Sequence, residues 1–133
     1  MTMHDLDEAV RVLGQRINAP ADLLSLAHEP THSGAPHVEY ADGQFSYVIT
    51  ERGTEFSRKT TRSIGELLYW IFSDITFSMA SDYEVRNREK GKDFRRLLFA
   101  RQRTLLVTLD PAWGEQYDME ISHALLKHPF VDA

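Results

Sequence analysis

The stretch "HVEYADGQFSYVITERGTEFSRKTT", residues 37–61, decides the fold class. Apolar and polar side chains alternate through it, and Asp42-Gly43 is a preferred two-residue hairpin turn. "ERGTE" supplies a second reversal, so the segment reads as a three-stranded antiparallel meander. Alternation points Val38, Tyr40, Phe45, Tyr47, Ile49 and Phe56 inward, and Glu39, Gln44, Ser46, Val48, Thr50 and Glu55 to the other face. Three short strands cannot bury a core by themselves, so helices must cover one side. The expected class is α+β, with the meander packed against a bundle of about four helices, one of them long and central.

Outward from the meander, the helices follow from periodicity and punctuation. Upstream, Leu6, Val10, Leu13 and Ile17 recur at spacings of three and four, which predicts a helix over about 4–18. "NAPADLLSLA" breaks it and starts a short turn at Pro20. "HEPTHSGAPH", residues 28–37, reads as a loop. Downstream, "SIGE" at 63–66 has the form of a capping box and opens the long helix, which runs to about Arg88. Gly91 separates it from a helix over 93–109, with Phe94, Leu98, Leu105 and Leu109 as its stripe. Pro111 ends that helix, and a last one covers about 112–127, stopping before "HPF" because the residue preceding a proline is pushed out of helical geometry. The expected organisation is one domain over 1–133, made of an N-terminal helical region (1–35), the meander (37–61) and the helices (63–128).

Composition sets limits on function. The chain has 133 residues, 42% hydrophobic and 26% charged, which suits a single domain with a substantial core. No apolar run reaches the roughly 18 residues a membrane span needs, and the acidic start "MTMHDLDEAV" does not look like a secretory signal. A cytoplasmic location is therefore expected. With no cysteine, disulfides, thiolate nucleophiles and the usual zinc knuckles are excluded. The net charge is −5, unevenly spread, with acidic ends and a basic middle. In "RNREKGKDFRRLLFARQR", residues 86–103, eight Arg or Lys face only Glu89 and Asp93. Such a run can contact phosphates or simply solvate a helix face through internal ion pairs.

The long helix poses the sharpest question. Ile64, Leu68, Phe72, Ile75, Met79 and Tyr83 form one apolar face, while Trp70, Asp74, Phe77, Ser78 and Ser81 lie opposite. A helix apolar on both sides is normally central, which would leave Asp74 at least partly buried and in need of a cation. Arg95 and Arg101 flank the next helix's stripe and are the candidate partners. Glu84 with Arg88, and Asp82 with Arg86, are acid-before-base pairs four apart. Asp74, Glu84, Arg88, Arg95 and Arg101 are thus read as a structural polar network.

No catalytic pattern is evident. His28, His32 and His37 are interrupted by Pro30, and His123 and His128 are poorly spaced for a shared helix face, so no metal site is assigned. Nucleophile-elbow, Walker and dinucleotide glycine patterns are missing. No catalytic residue, metal or cofactor is called, and the chain is read as non-enzymatic.

Taken together, "ELLYWIFSDITFSMASDYEVRNR", "DFRRLLFARQRTLL", "PAW", the terminal "HPFVD" and the strand "YVITERGTE" resemble the Immunity protein 63 family of bacterial polymorphic toxin systems, over about residues 40–132. The resemblance implies an α+β protein that protects the producing cell by binding a cognate toxin domain. The family-like positions are Trp70, Asp74, Glu84, Arg96, Gln102, Pro129, Phe130 and Asp132, read as fold-defining. Electrostatics suggests a toxin class: nucleases are basic, and an acidic inhibitor approaches them quickly and blocks the groove. Glu39, Asp42, Glu51 and Glu55, on the outward sheet face and its turns, are the candidate toxin contacts. The alternative is a nucleic-acid-binding module that uses residues 86–103.

Overall fold

The computed structural model describes residues 2–133. Its elements run α1 (Met3–Arg16), a 3-10 turn (Ala21–Leu24), β1 (Ser33–Ala41), β2 (Gln44–Glu51), β3 (Thr54–Thr61), α2 (Ile64–Arg86), α3 (Phe94–Leu109) and α4 (Pro111–Lys127). The fold is α+β, with one three-stranded antiparallel sheet in the order β1-β2-β3. The chain divides into two compact units. One comprises residues up to Gln15 and Pro20–Ile71; the other comprises Arg16–Ala19 and Phe72–Ala133.

In the first unit, both hairpins close through two successive residues of positive φ, Asp42-Gly43 (54° and 76°) and Arg52-Gly53 (51° and 81°). This left-handed geometry matches the twist of the flanking strands. Each turn fixes a register, with Tyr40 opposite Phe45 in one hairpin and Glu51 opposite Thr54 in the other. Strand β1 starts earlier than the sequence suggested, because Ser33 pairs with Glu51 and the pairing resumes at Pro36 with Ile49. Residues assigned to a loop therefore belong to the sheet, and a register shift absorbs Gly34 and Ala35.

The inward set needs correction. Val38, Phe45 and Tyr47 are buried as expected, but so are His37, Val48 and Thr50 from the other face. The alternation is intact; β2, as the central strand, is covered on both faces. Phe56 is 65% exposed. Its strand slips there, since Ile49 faces Ser57 while Thr50 faces Glu55, leaving Phe56 as the extra residue of a β-bulge. Tyr40, on an edge strand beside the turn, is exposed, although its ring rests 4.7 Å from that of Phe45.

Leu6 and Val10 of α1 are buried, and the helix is tied to its own unit in two ways. Asp7 pairs with His28, and Leu24 lies where a side chain on Gly14 would have to go. At the start of α2 the Ser63 hydroxyl accepts from the Glu66 amide at 3.1 Å, so half of the capping box is formed. The reciprocal half is replaced: the Ser63 amide donates to Thr61 Oγ1 at 3.0 Å.

In the second unit, Asp110 ends α3 and begins α4. Its amide donates to the Leu106 carbonyl, and its carboxylate accepts from the Ala112 amide with Pro111 in the first turn. Arg16 donates to the Thr108 and Leu109 carbonyls, placing a cation on the exposed C-terminal end of α3. α3 and α4 approach closely at Gly114, where a β-carbon would overlap Val107 Cγ2. Leu98, Leu105, Leu106, Leu109 and Tyr117 are buried. Each such aliphatic side chain contributes about 1.5–3 kcal/mol on leaving water.

Candidate functional site

The four acidic residues proposed as partner contacts all lie on the meander, but they do not form one patch. Glu39 accepts from Arg58 Nη1 at 2.9 Å and from the buried His37 Nε2 at 2.8 Å. Glu55 accepts from the same guanidinium at 2.8 Å. Arg58, with His37 second for Glu39, holds both carboxyls below their usual range. One guanidinium thus engages both acids, which remain 41% and 46% exposed. Asp42 sits at the β1–β2 turn, where its carbonyl accepts from Arg62, and Glu51 sits at the opposite end of β2. An eight-residue strand separates those ends by about 23 Å. Hairpin turns of a meander point in opposite directions, which sequence proximity conceals.

The predicted polar network is only partly assembled. Glu84 is buried and takes two bonds from Arg88, at 3.0 and 2.9 Å. Arg86 pairs with Asp82. Asp74, however, is exposed, on a solvent-facing stripe of α2 with Phe77, Ser78 and Val85. The apolar Phe77 and Val85, 52% and 65% exposed, made this side look like a second core face. Arg95 is turned to Asp93 and to the carbonyls of His128 and Pro129, and Arg101 stacks 4.5 Å over the Tyr83 ring.

Two polar clusters in the second unit join family-like residues to partners that the sequence does not name. In the first, buried Gln102 donates through Nε2 to the Ser73 carbonyl (3.0 Å) and Thr76 Oγ1 (3.2 Å), while its Oε1 accepts from the Tyr117 hydroxyl (2.8 Å). One amide thereby ties α2, α3 and α4, and burial pushes the Tyr117 phenol up. The second cluster straps the C-terminus to the start of α3. Asp93 caps the helix, accepts from the Val131 amide and holds Arg95. Asp132 accepts from the Asp93 amide (2.7 Å) and Arg96 (3.0 Å), and Phe130 lies under Arg96 and beside Phe99.

Most of the family-like positions acquire a physical role here. Trp70 stacks near Tyr47 and under Lys59 Nζ at 4.8 Å; Glu84, Arg96, Gln102, Pro129, Phe130 and Asp132 hold the second unit as described. Asp74 is exposed, as are Arg96, Pro129 and Asp132.

The basic segment is also largely accounted for. Arg86, Arg88, Arg95, Arg96 and Arg103 each pair with a carboxylate, and Arg101 stacks on Tyr83. An open depression lined by Arg88, Lys92, Asp93, Phe94, Arg95 and Val131 lies here, with both arginines already paired. Among the described residues no three His, Asp or Glu gather to hold a metal ion. His28 pairs with Asp7, and His32 stands at a positive φ of 55°. No helix among the described residues is long and apolar enough to cross a membrane. The shifted carboxyls of Glu39, Glu55, Glu84, Asp93, Asp118 and Asp132 all move down, chiefly through arginine hydrogen bonds, so these stay ionised at neutral pH and do not act there as general acids.

The ion pairs of the sheet and of the helices are formed within each unit. The family model for Immunity protein 63 matches residues 41–123, more than half of the chain. The chain belongs to the Immunity protein 63 family. The match begins at the first hairpin turn and ends within α4, so the strap formed by the last residues of this family member lies beyond it. Comparison with curated proteins and with solved structures finds no match.

Proposed function

We propose that this protein is the immunity partner of a toxin domain from a bacterial polymorphic toxin system, and that it works by stoichiometric binding in the cytoplasm of the producing cell. Membership of the Immunity protein 63 family carries this reading. The geometry supports it, because the ion pairs described above and the Gln102 network stabilise the scaffold and, among the described residues, do not themselves form a constellation of nucleophile, base and oxyanion donors. On this reading the two compact units act together as one inhibitor. The net charge of −5 favours fast encounter with a basic toxin such as a nuclease.

Co-expression tests it. Bacteria carrying the toxin domain encoded beside this gene should die without the protein and grow with it, and the two purified chains should elute together at one to one. Unchanged killing despite full expression of folded protein would refute the assignment.

The nucleic-acid reading draws no support from residues 86–103, since intramolecular acids and one aromatic ring already engage six of the eight cations.

A further inference from the structure

The two edges of the sheet are treated differently. In the β1–β2 hairpin, Ala41 and Gln44 flank a two-residue turn and form a hydrogen-bonded pair, so alternation makes Glu39 with Ser46 and His37 with Val48 the bonded pairs. Val38, between them, must send its amide away from β2. It does, donating to the Ala27 carbonyl at 2.9 Å. Pro36, the next outward residue, has no amide to offer. The β1 edge is thus closed at Val38 by a bridge and at Pro36 by the missing donor, which leaves Tyr40, beside the turn, as its other outward residue.

The same alternation applies to the other side of β2. Phe45, Tyr47 and Ile49 face β3 and bond Thr61, Lys59 and Ser57. The amides and carbonyls of Arg58 and Thr60 therefore point away from the sheet. β3 is the last strand in the order, and its residues are exposed apart from half-buried Ser57 and buried Thr61. This edge also differs in charge from the rest of the chain: residues 52–62 hold Arg52, Arg58, Lys59 and Arg62 against Glu55, and with Arg58 held by Glu55 and Glu39 the cations left to a partner are Arg52, Lys59 and Arg62. Two copies of β3 laid side by side would oppose like charges, which disfavours self-pairing. An extended acidic segment would meet both the outward backbone groups and the cations.

We propose that β3 is the docking edge, and that the toxin adds an extended, acidic segment to it as a fourth strand, hydrogen-bonding the main chain of Arg58 and Thr60. The proposal rests on the immunity reading. It moves the contact surface from the acids Glu39, Asp42, Glu51 and Glu55 to a basic edge, with exposed Phe56 as the apolar contact beside it. Main-chain bonds supply affinity, and the side chains select the partner.

The test uses the full chain and the toxin domain encoded by the adjacent gene. Hydrogen exchange at the Arg58 and Thr60 amides should slow at least about tenfold on complex formation, as expected for amides that enter a ladder. Thr60→Pro removes one outward donor without touching the bonds to β2, and should weaken binding about tenfold, whereas Thr60→Ala should stay within about twofold. Toxin binding with exchange at both amides unchanged overturns the edge proposal and leaves the immunity reading standing. Failure of the wild-type chain to bind the toxin overturns both. Amides already protected in the free protein, in proportion to its concentration, would show a second copy on the edge and likewise overturn it.

Discussion

Arg52 holds a backbone conformation, φ 51°, that costs an L-residue with a Cβ roughly 1–2 kcal/mol relative to glycine. Asparagine tolerates it best among the others and is favoured before glycine in this turn. Arg52→Asn should therefore raise stability by about 0.5–1 kcal/mol in thermal denaturation, with the sheet unchanged. At Gln102 the sign reverses: Gln102→Ala leaves the Thr76 and Tyr117 hydroxyls short of a partner in a buried site and opens a cavity. A loss of about 2–4 kcal/mol in urea unfolding is expected, and combining it with Tyr117→Phe should cost less than the sum. A signal for Gln102 existed, because it falls on the stripe of Leu98, Leu105 and Leu109 at helical spacing, where a polar side chain must find partners. Nothing in the sequence names those partners. Asp74 shows the opposite error, since a nearby Phe77 made an exposed stripe look buried.

At the scale of elements, the strap over α3 has a definite pH response. Arg95, with the Val131 and Arg95 amides, holds the Asp93 carboxyl below its ordinary value of 3.8. A folded-state pKa below the unfolded one gives stability that is complete above the unfolded value and lost as pH falls through the folded one. Wild type should therefore exceed Asp93→Asn in melting temperature by a constant margin above about pH 4, and the margin should shrink below it. A margin that grows on acidification would contradict the assignment. Helix limits were largely legible, since Ser63, Gly91, Pro111 and the Pro129 stop are local signals. The two-sided cover of β2, the bulge at Phe56 and the early start of β1 were not, because long-range pairing sets them. The turn chemistry at Asp42-Gly43 was legible for the same local reason that the helix caps were.

For the whole molecule, charge bookkeeping separates the two functional readings. If the arginines of residues 86–103 serve internal pairs, labelled DNA and RNA should show no binding that weakens steeply with salt, in contrast to a protein whose cations await phosphates. The family, once named, accounts for the scaffold far better than for the surface. Trp70, Glu84, Arg96 and Gln102 are spent holding the chain in shape, and a binding edge is read from strand order and main-chain direction instead. Inhibition by occupancy makes the toxin's activity, titrated with purified protein, the decisive readout. Activity should fall linearly and vanish at one equivalent, without progress over time. Complete silencing of the toxin by a small fraction of an equivalent, growing with incubation, would contradict it.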